Sequence, residues 1–167
     1  MQRKKLTHVE CPIARSLDQV GEWWSILLMR DALHGLRRFD AFSQSLGIAP
    51  NMLTRRLNAL VEAGMLERVP YSQRPLRYEY VPTTKGEDFA SVLMAFVDWG
   101  NRHYAAEGES VQVVDRDTGK RLQLAFTDPE DGRVLAPEQC TVQPGPAASD
   151  AMRERLGRKH ARPALTT

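Results

Sequence analysis

Ile48-Ala49-Pro50-Asn51-Met52-Leu53-Thr54-Arg55-Arg56-Leu57-Asn58-Ala59-Leu60-Val61-Glu62-Ala63-Gly64 acquires two unlike faces when wound at about 100° per residue. Leu53, Leu57, Leu60 and Val61 share an apolar stripe, while Asn51, Arg55 and Asn58 fall on the opposite side. Arginine can donate two parallel hydrogen bonds to guanine and asparagine can pair with adenine, whereas an ordinary solvated face carries more Glu and Lys. Pro50 suits a first helical turn, and Ala63-Gly64 suits a stop.

The neighbours give this helix its setting. Upstream, Phe39, Phe42 and Leu46 form a stripe over about two turns, closed by Gly47 and preceded by Arg37-Arg38. Two short helices joined by a tight glycine-containing turn predict a helix-turn-helix. Downstream, Leu66-Glu67-Arg68-Val69 and Tyr78-Glu79-Tyr80-Val81 are rich in β-formers and flank a basic loop, Tyr71-Ser72-Gln73-Arg74-Pro75-Leu76-Arg77. A helix-turn-helix followed by such a hairpin is a winged helix.

Two helices are predicted ahead of the motif. Cys11 to Gly21 reads as a short one, and Glu22 to about His34 as a central one, because apolar groups cover nearly its whole circumference. Behind the wing, Thr83 or Thr84 caps a helix whose stripe of Phe89, Val92, Leu93, Phe96, Val97 and Gly100 runs towards Tyr104. This predicts a helix of about 20 residues, roughly 30 Å, whose overhang suits burial against a second subunit.

From Val111 the pattern turns to alternation. Val111 to Val114 and Leu122 to Phe126 read as a hairpin around Asp117-Thr118-Gly119-Lys120, and a second turn at Asp128 to Gly132 leads into Val134-Leu135. The expected organisation is a basic arm at 1–10, a winged-helix and dimerisation domain at 11–106, a small β appendage at 107–143 and a flexible basic tail at 144–167, with a short helix near Met152 to Leu156. The fold class is α+β.

Net charge is only +2, but it is distributed unevenly. Residues 36–85 carry a net +4 and residues 86–150 a net −7, so the positive excess coincides with the motif, as a nucleic-acid footprint does. No apolar run follows Arg3, Lys4 and Lys5, and none reaches membrane-spanning length, so no secretory signal or membrane partner is expected. Cys11 and Cys140 form no CxxC pair, which excludes a disulfide scaffold and suits the cytoplasm. No nucleophile triad, phosphate-cradling loop or metal-ligand spacing among the histidines is visible, so neither an enzyme nor a cofactor is expected.

The ordered residues resemble the HxlR-type transcriptional regulators, winged-helix proteins related to the MarR type. The resemblance runs from Cys11-Pro12 to about Tyr104, through Trp24, Leu27 to Asp31, Gly35, Arg37-Arg38-Phe39, Leu53 to Leu57, Gly64 to Arg68, Arg77 to Tyr80, Thr83 to Gly86 and Asp98-Trp99-Gly100. It implies a homodimer on inverted-repeat operators in double-stranded DNA, one recognition helix per half-site, acting as repressor or activator. Cys11 matches the position of an N-terminal cysteine with which some members sense oxidants or electrophiles. Residues 115–119 and 128–132 are similar to the turns of a zinc ribbon in longer members, but Asp-Arg-Asp-Thr-Gly and Asp-Pro-Glu-Asp-Gly keep the glycines without the thiols. A metal-free, ribbon-like fold is therefore expected.

The candidate DNA-contact set follows. On the helix it comprises Pro50, Asn51, Thr54, Arg55, Arg56 and Asn58, with Asn51, Thr54, Arg55 and Asn58 reading bases and Arg56 serving a phosphate or an internal salt bridge. Arg37 and Arg38 suit the DNA backbone or an ion pair with Asp31 or Asp40, and Ser72, Gln73, Arg74 and Arg77 belong to the wing, where Arg77 could pair with Glu67 or Glu79 instead. Cys11, near a helix N-terminus with Arg15 four residues on, fits a redox sensor or a packed thiol. Trp23, Trp24 and Trp99 fit a core or an aromatic effector pocket. A winged helix that contacts only other proteins is the competing function, disfavoured by the Arg/Asn face.

Overall fold

Leu53, Leu57 and Leu60 are completely buried, which confirms the stripe that defines the second helix of the motif. The computed structural model describes Leu6 and residues 9–157. Most of the expected basic arm and the last ten residues of the tail lie outside that range. The helices are α1 (Pro12–Val20), α2 (Trp23–Leu33), α3 (Phe39–Leu46), α4 (Pro50–Glu62), α5 (Thr84–Asp88), α6 (Ala90–Tyr104) and α7 (Asp150–Gly157). The strands are β1 (Leu66–Gln73), β2 (Leu76–Pro82), β3 (Phe126–Thr127) and β4 (Val134–Leu135). Residues 16–123 form one compact unit, and the described residues up to Arg15 form a second with those from Leu124 onward.

In the larger unit α2 is the hub. Leu28, Met29 and Ala32 are fully buried among Phe42 of α3, the three leucines of α4, Met65 and Leu66. Asp31, itself buried, accepts hydrogen bonds from Ser45 Oγ at 2.6 Å and from the Arg30 guanidinium at 2.8 Å. Burying a carboxylate is costly unless it is hydrogen-bonded, so this cluster fastens α3 to α2 in one orientation. Gly47 ends α3 in the left-handed region at φ 59°, the tight turn that separates the two helices of the motif. Pro50 then opens α4 at its first position.

The wing is longer than expected. β1 and β2 pair antiparallel from Leu66↔Pro82 out to Gln73↔Leu76, so Tyr71 to Gln73 and Leu76-Arg77 are strand and only Arg74-Pro75 turns the chain. The register slips between Pro70 and Ser72, and this bulge absorbs Tyr71 without ending the ladder. Tyr71, Leu76 and Tyr78 are strand formers, and their propensity prevails over the local turn signals. The Tyr80 N–H also donates to the Arg37 carbonyl at 2.7 Å, tying the residues ahead of α3 to the edge of β2.

The single helix expected behind the wing is two. α5 ends at Asp88, and the Phe89 N–H donates to Gly86 at 3.3 Å, three residues back, before α6 begins. Phe89, at the join between them, is partly buried against the core. α6 has 15 residues, about 22 Å at 1.5 Å per residue. The expected hairpin at 111–126 is also reduced: its ladder is the single bridge Val114↔Arg121. Val111, Val114, Leu122 and Leu124 are exposed, and a two-stranded ladder without an apolar face to cover gains little.

In the smaller unit β3 and β4 pair as Phe126↔Leu135 and Thr127↔Val134 around the Asp128 turn. Gly119 and Gly132 both lie in the left-handed region, at φ 65° and 72°, and each donates its N–H to the aspartate four residues back at 2.9 Å. The two turns thus share one local shape. Among the described residues no cluster of three His, Cys, Asp or Glu comes together to hold a metal ion. The helix expected near Met152 to Leu156 is α7.

Candidate nucleic-acid interface

Opposite the buried leucines, Asn51, Thr54 and Arg55 are exposed and Asn58 is half-buried, on the outward side of α4. The Thr54 hydroxyl donates back to the Pro50 carbonyl at 2.9 Å, which leaves only its lone pairs facing outward. Asn51 Oδ1 accepts from the Met52 N–H at 2.7 Å, so its amide donors remain available. Among the described residues the Arg55 guanidinium bonds Met52 Sδ, at 3.1 Å, a weak acceptor that DNA can displace.

The remaining arginines separate by partner. Arg56, with 15% of its side chain exposed, bonds Glu22 at 3.1 Å, which is the internal salt bridge among its two expected roles. Arg37 is turned inward and donates to the carbonyls of Ala32 and Leu36, at the C-terminal end of α2, where a cation complements the helix dipole. Arg38 pairs with Glu79 at 3.0 Å, rather than with Asp31 or Asp40, and lies 4.5 Å above the centre of the Tyr71 ring. It is still 59% exposed, so one edge of its guanidinium remains open to a phosphate.

On the wing, Gln73, Arg74 and Arg77 are exposed and Ser72 is half-buried. Neither Arg74 nor Arg77 has an acidic partner among the described residues, so Arg77 pairs with neither Glu67 nor Glu79. Arg38, Phe39, Tyr71, Leu76, Arg77 and Tyr78 line an open cleft of about 320 Å³ between the wing and the start of α3. Sequence reasoning missed Arg68, which reaches from β1 to donate to Asn58 Oδ1. It ends the Gly64 to Arg68 run, but nothing in the spacing shows that β1 passes beside Asn58 of α4.

Residues 19–108 match the model of the HxlR-like helix-turn-helix family. The chain belongs to that family. Among its HxlR relatives, the uncharacterized HTH-type transcriptional regulator Rv3095 of Mycobacterium tuberculosis is 33% identical over 135 residues, which is 80% of this chain and 85% of the relative. A solved structure of PA1374 from Pseudomonas aeruginosa, described as a transcription factor, is 72% identical with a TM-score of 0.66, covering 87% of this chain and all of that one. The redox regulator HypR in its reduced form is 30% identical with a TM-score of 0.52, covering 56% of this chain and 95% of HypR. The HxlR chain described here is thus a transcriptional regulator with a helix-turn-helix DNA-binding domain.

The candidate sensor, Cys11, stands immediately before α1. The backbone N–H of Ala14, then that of Ile13, and the Arg155 guanidinium of α7 hold its thiol below the ordinary range, against an opposing effect of burial. In the same unit Ser149 N–H donates to Glu10 at 2.6 Å, and Arg15 Nε donates to the Val9 carbonyl at 2.9 Å. The tryptophans fall into two ring clusters. Trp23 stacks on Trp24 with centroids 3.9 Å apart, and Trp99 meets Tyr104 edge-on at 5.1 Å. Among the described residues no helix is long and apolar enough to cross a membrane.

Proposed function

We propose that this regulator binds inverted-repeat operators sequence-specifically as a homodimer at the nucleoid and acts there as a repressor. The observation that carries this reading is the unobstructed outward face of α4, with Asn51, Thr54 and Arg55 exposed over a fully buried leucine stripe. Arg74 and Arg77 suit the flanking backbone or minor groove, and the open edge of Arg38 suits a phosphate. The dimer is supported by α6, which has no buried residue and exposes Val92, Met94, Phe96, Trp99 and Tyr104. Val92, Phe96 and Trp99 share one face of the helix, and monomeric proteins seldom leave such a face to water. Two half-sites about 34 Å apart are expected, one helical turn, as for other dimeric readers.

Gel retardation with DNA upstream of the protein's own gene, beside sedimentation analysis, tests this. A discrete complex that survives non-specific competitor and contains two chains is expected. Loss of the complex when competitor is added, or a monomer at micromolar concentration, would defeat the reading.

A thiol response is proposed beside it, supported by the polar setting of Cys11 and the likeness to a redox regulator. Because its pKa is lowered, the reactive thiolate is populated at lower pH than in an ordinary cysteine. Alkylation of Cys11 by iodoacetamide should show a pH midpoint below the ~8.5 of a free thiol. A midpoint at or above that value, or an operator response to a quinone that persists in Cys11→Ser, counts against sensing.

A further inference from the structure

The hydrogen bond from Arg68 to Asn58 changes what the recognition helix can read. A free asparagine amide offers one acceptor and two donors side by side, the pattern that pairs with adenine N6–H and N7. Here Arg68 Nη2 donates to Asn58 Oδ1, so a guanidinium cation already takes one of that oxygen's two lone pairs and weakens the other as an acceptor. An incoming adenine N6–H would bring a second positive hydrogen to the same oxygen. Among the described residues nothing accepts from the Asn58 amide hydrogens, and both are donors. Guanine presents two acceptors, N7 and O6, on its major-groove edge. Asn51 is biased the same way, since its Oδ1 accepts from the Met52 N–H.

We infer that Arg68 is a positioning residue that shifts Asn58 from adenine reading towards donation to guanine. The inference rests on α4 being the reading helix. Arg68 sits on β1, outside the helix-turn-helix, so the wing would help set base preference without contacting that base. The side chain is exposed, and its removal opens no cavity.

Selection of binding sites from random duplex DNA by the full chain tests it. Wild-type protein should enrich a motif with guanine at the position whose preference disappears in Asn58→Ala. Arg68→Ala should move that position towards adenine, changing the guanine-to-adenine affinity ratio about tenfold, within what one good base contact supplies. Arg68→Lys, which keeps a cationic donor, should retain guanine, and Arg68→Ala in the Asn58→Ala background should have no further effect on base preference. An Arg68→Ala protein that loses affinity equally for all bases is only missing a phosphate contact, and the inference is then overturned. Adenine at that position in the wild type overturns it too, while the function stands. A wild-type selection that enriches no motif removes the proposed function itself, and this inference with it.

Discussion

Gly86→Ala should lower the stability of the winged unit by about 3 kcal/mol, at the upper end of what overpacking a well-filled site costs. A Cβ built on Gly86 lies 2.1 Å from the Met65 carbonyl oxygen and 3.3 Å from Met29 Cε. The nearer neighbour is backbone and cannot swing aside as a side chain could. Met65 lies between the end of α4 and β1, and its carbonyl also accepts the Thr83 N–H at 3.1 Å. Thr83 in turn caps α5 by accepting the Gly86 N–H at 3.2 Å and donates to the Gly64 carbonyl at 2.6 Å. The methyl group would therefore force apart the junction where α4, the wing and α5 meet. Native stabilities of about 5–15 kcal/mol leave little margin for such a loss. Urea unfolding should show a lower midpoint at an unchanged slope. A midpoint shift worth under about 0.5 kcal/mol would mean that α5 does not dock as described.

Arg55→Ala should weaken operator binding by about 1–3 kcal/mol, roughly 5- to 150-fold, and relax selectivity at one base pair per half-site. The guanidinium is exposed on the outward face and, among the described residues, bonds Met52 Sδ alone, so its removal should disturb little packing. Arg74→Ala behaves differently. As a phosphate contact it should reduce affinity evenly across sequences and lower the salt slope by about 1. Arg56→Ala is a control for both, because its bond to Glu22 is internal and its loss should be felt in unfolding before binding. Equal operator affinity and an unchanged selected motif in Arg55→Ala would show that α4 does not read the major groove through this residue.

Elements set by local periodicity are legible in the amino-acid sequence. Leu53, Leu57 and Leu60 repeat at helical spacing and are the residues buried; Gly47 and Gly64 stand at positive φ where the spacing predicts turns. Less is legible where a choice depends on distant partners. Turn residues around Arg74 suggest a broad loop, yet the ladder runs through it because the facing strand supplies hydrogen bonds to both sides of the bulge. Phe89 continues a helical stripe, yet its N–H bonds three residues back to Gly86 and α5 and α6 divide there, where Phe89 also meets the core.

The sequence by itself determined that this chain is a helix-turn-helix with a wing, and which face of α4 points outward, because a 3.6-residue period and a left-handed glycine are local properties. Only the tertiary structure decided what each arginine does. Arg37 caps α2, Arg38 bonds Glu79, Arg56 bonds Glu22, Arg68 holds Asn58, and Arg55 and Arg74 remain outward. A guanidinium on a long flexible stem takes whichever carboxylate, carbonyl or amide the packed elements bring within reach, and that neighbourhood comes from strands and helices far apart in the chain.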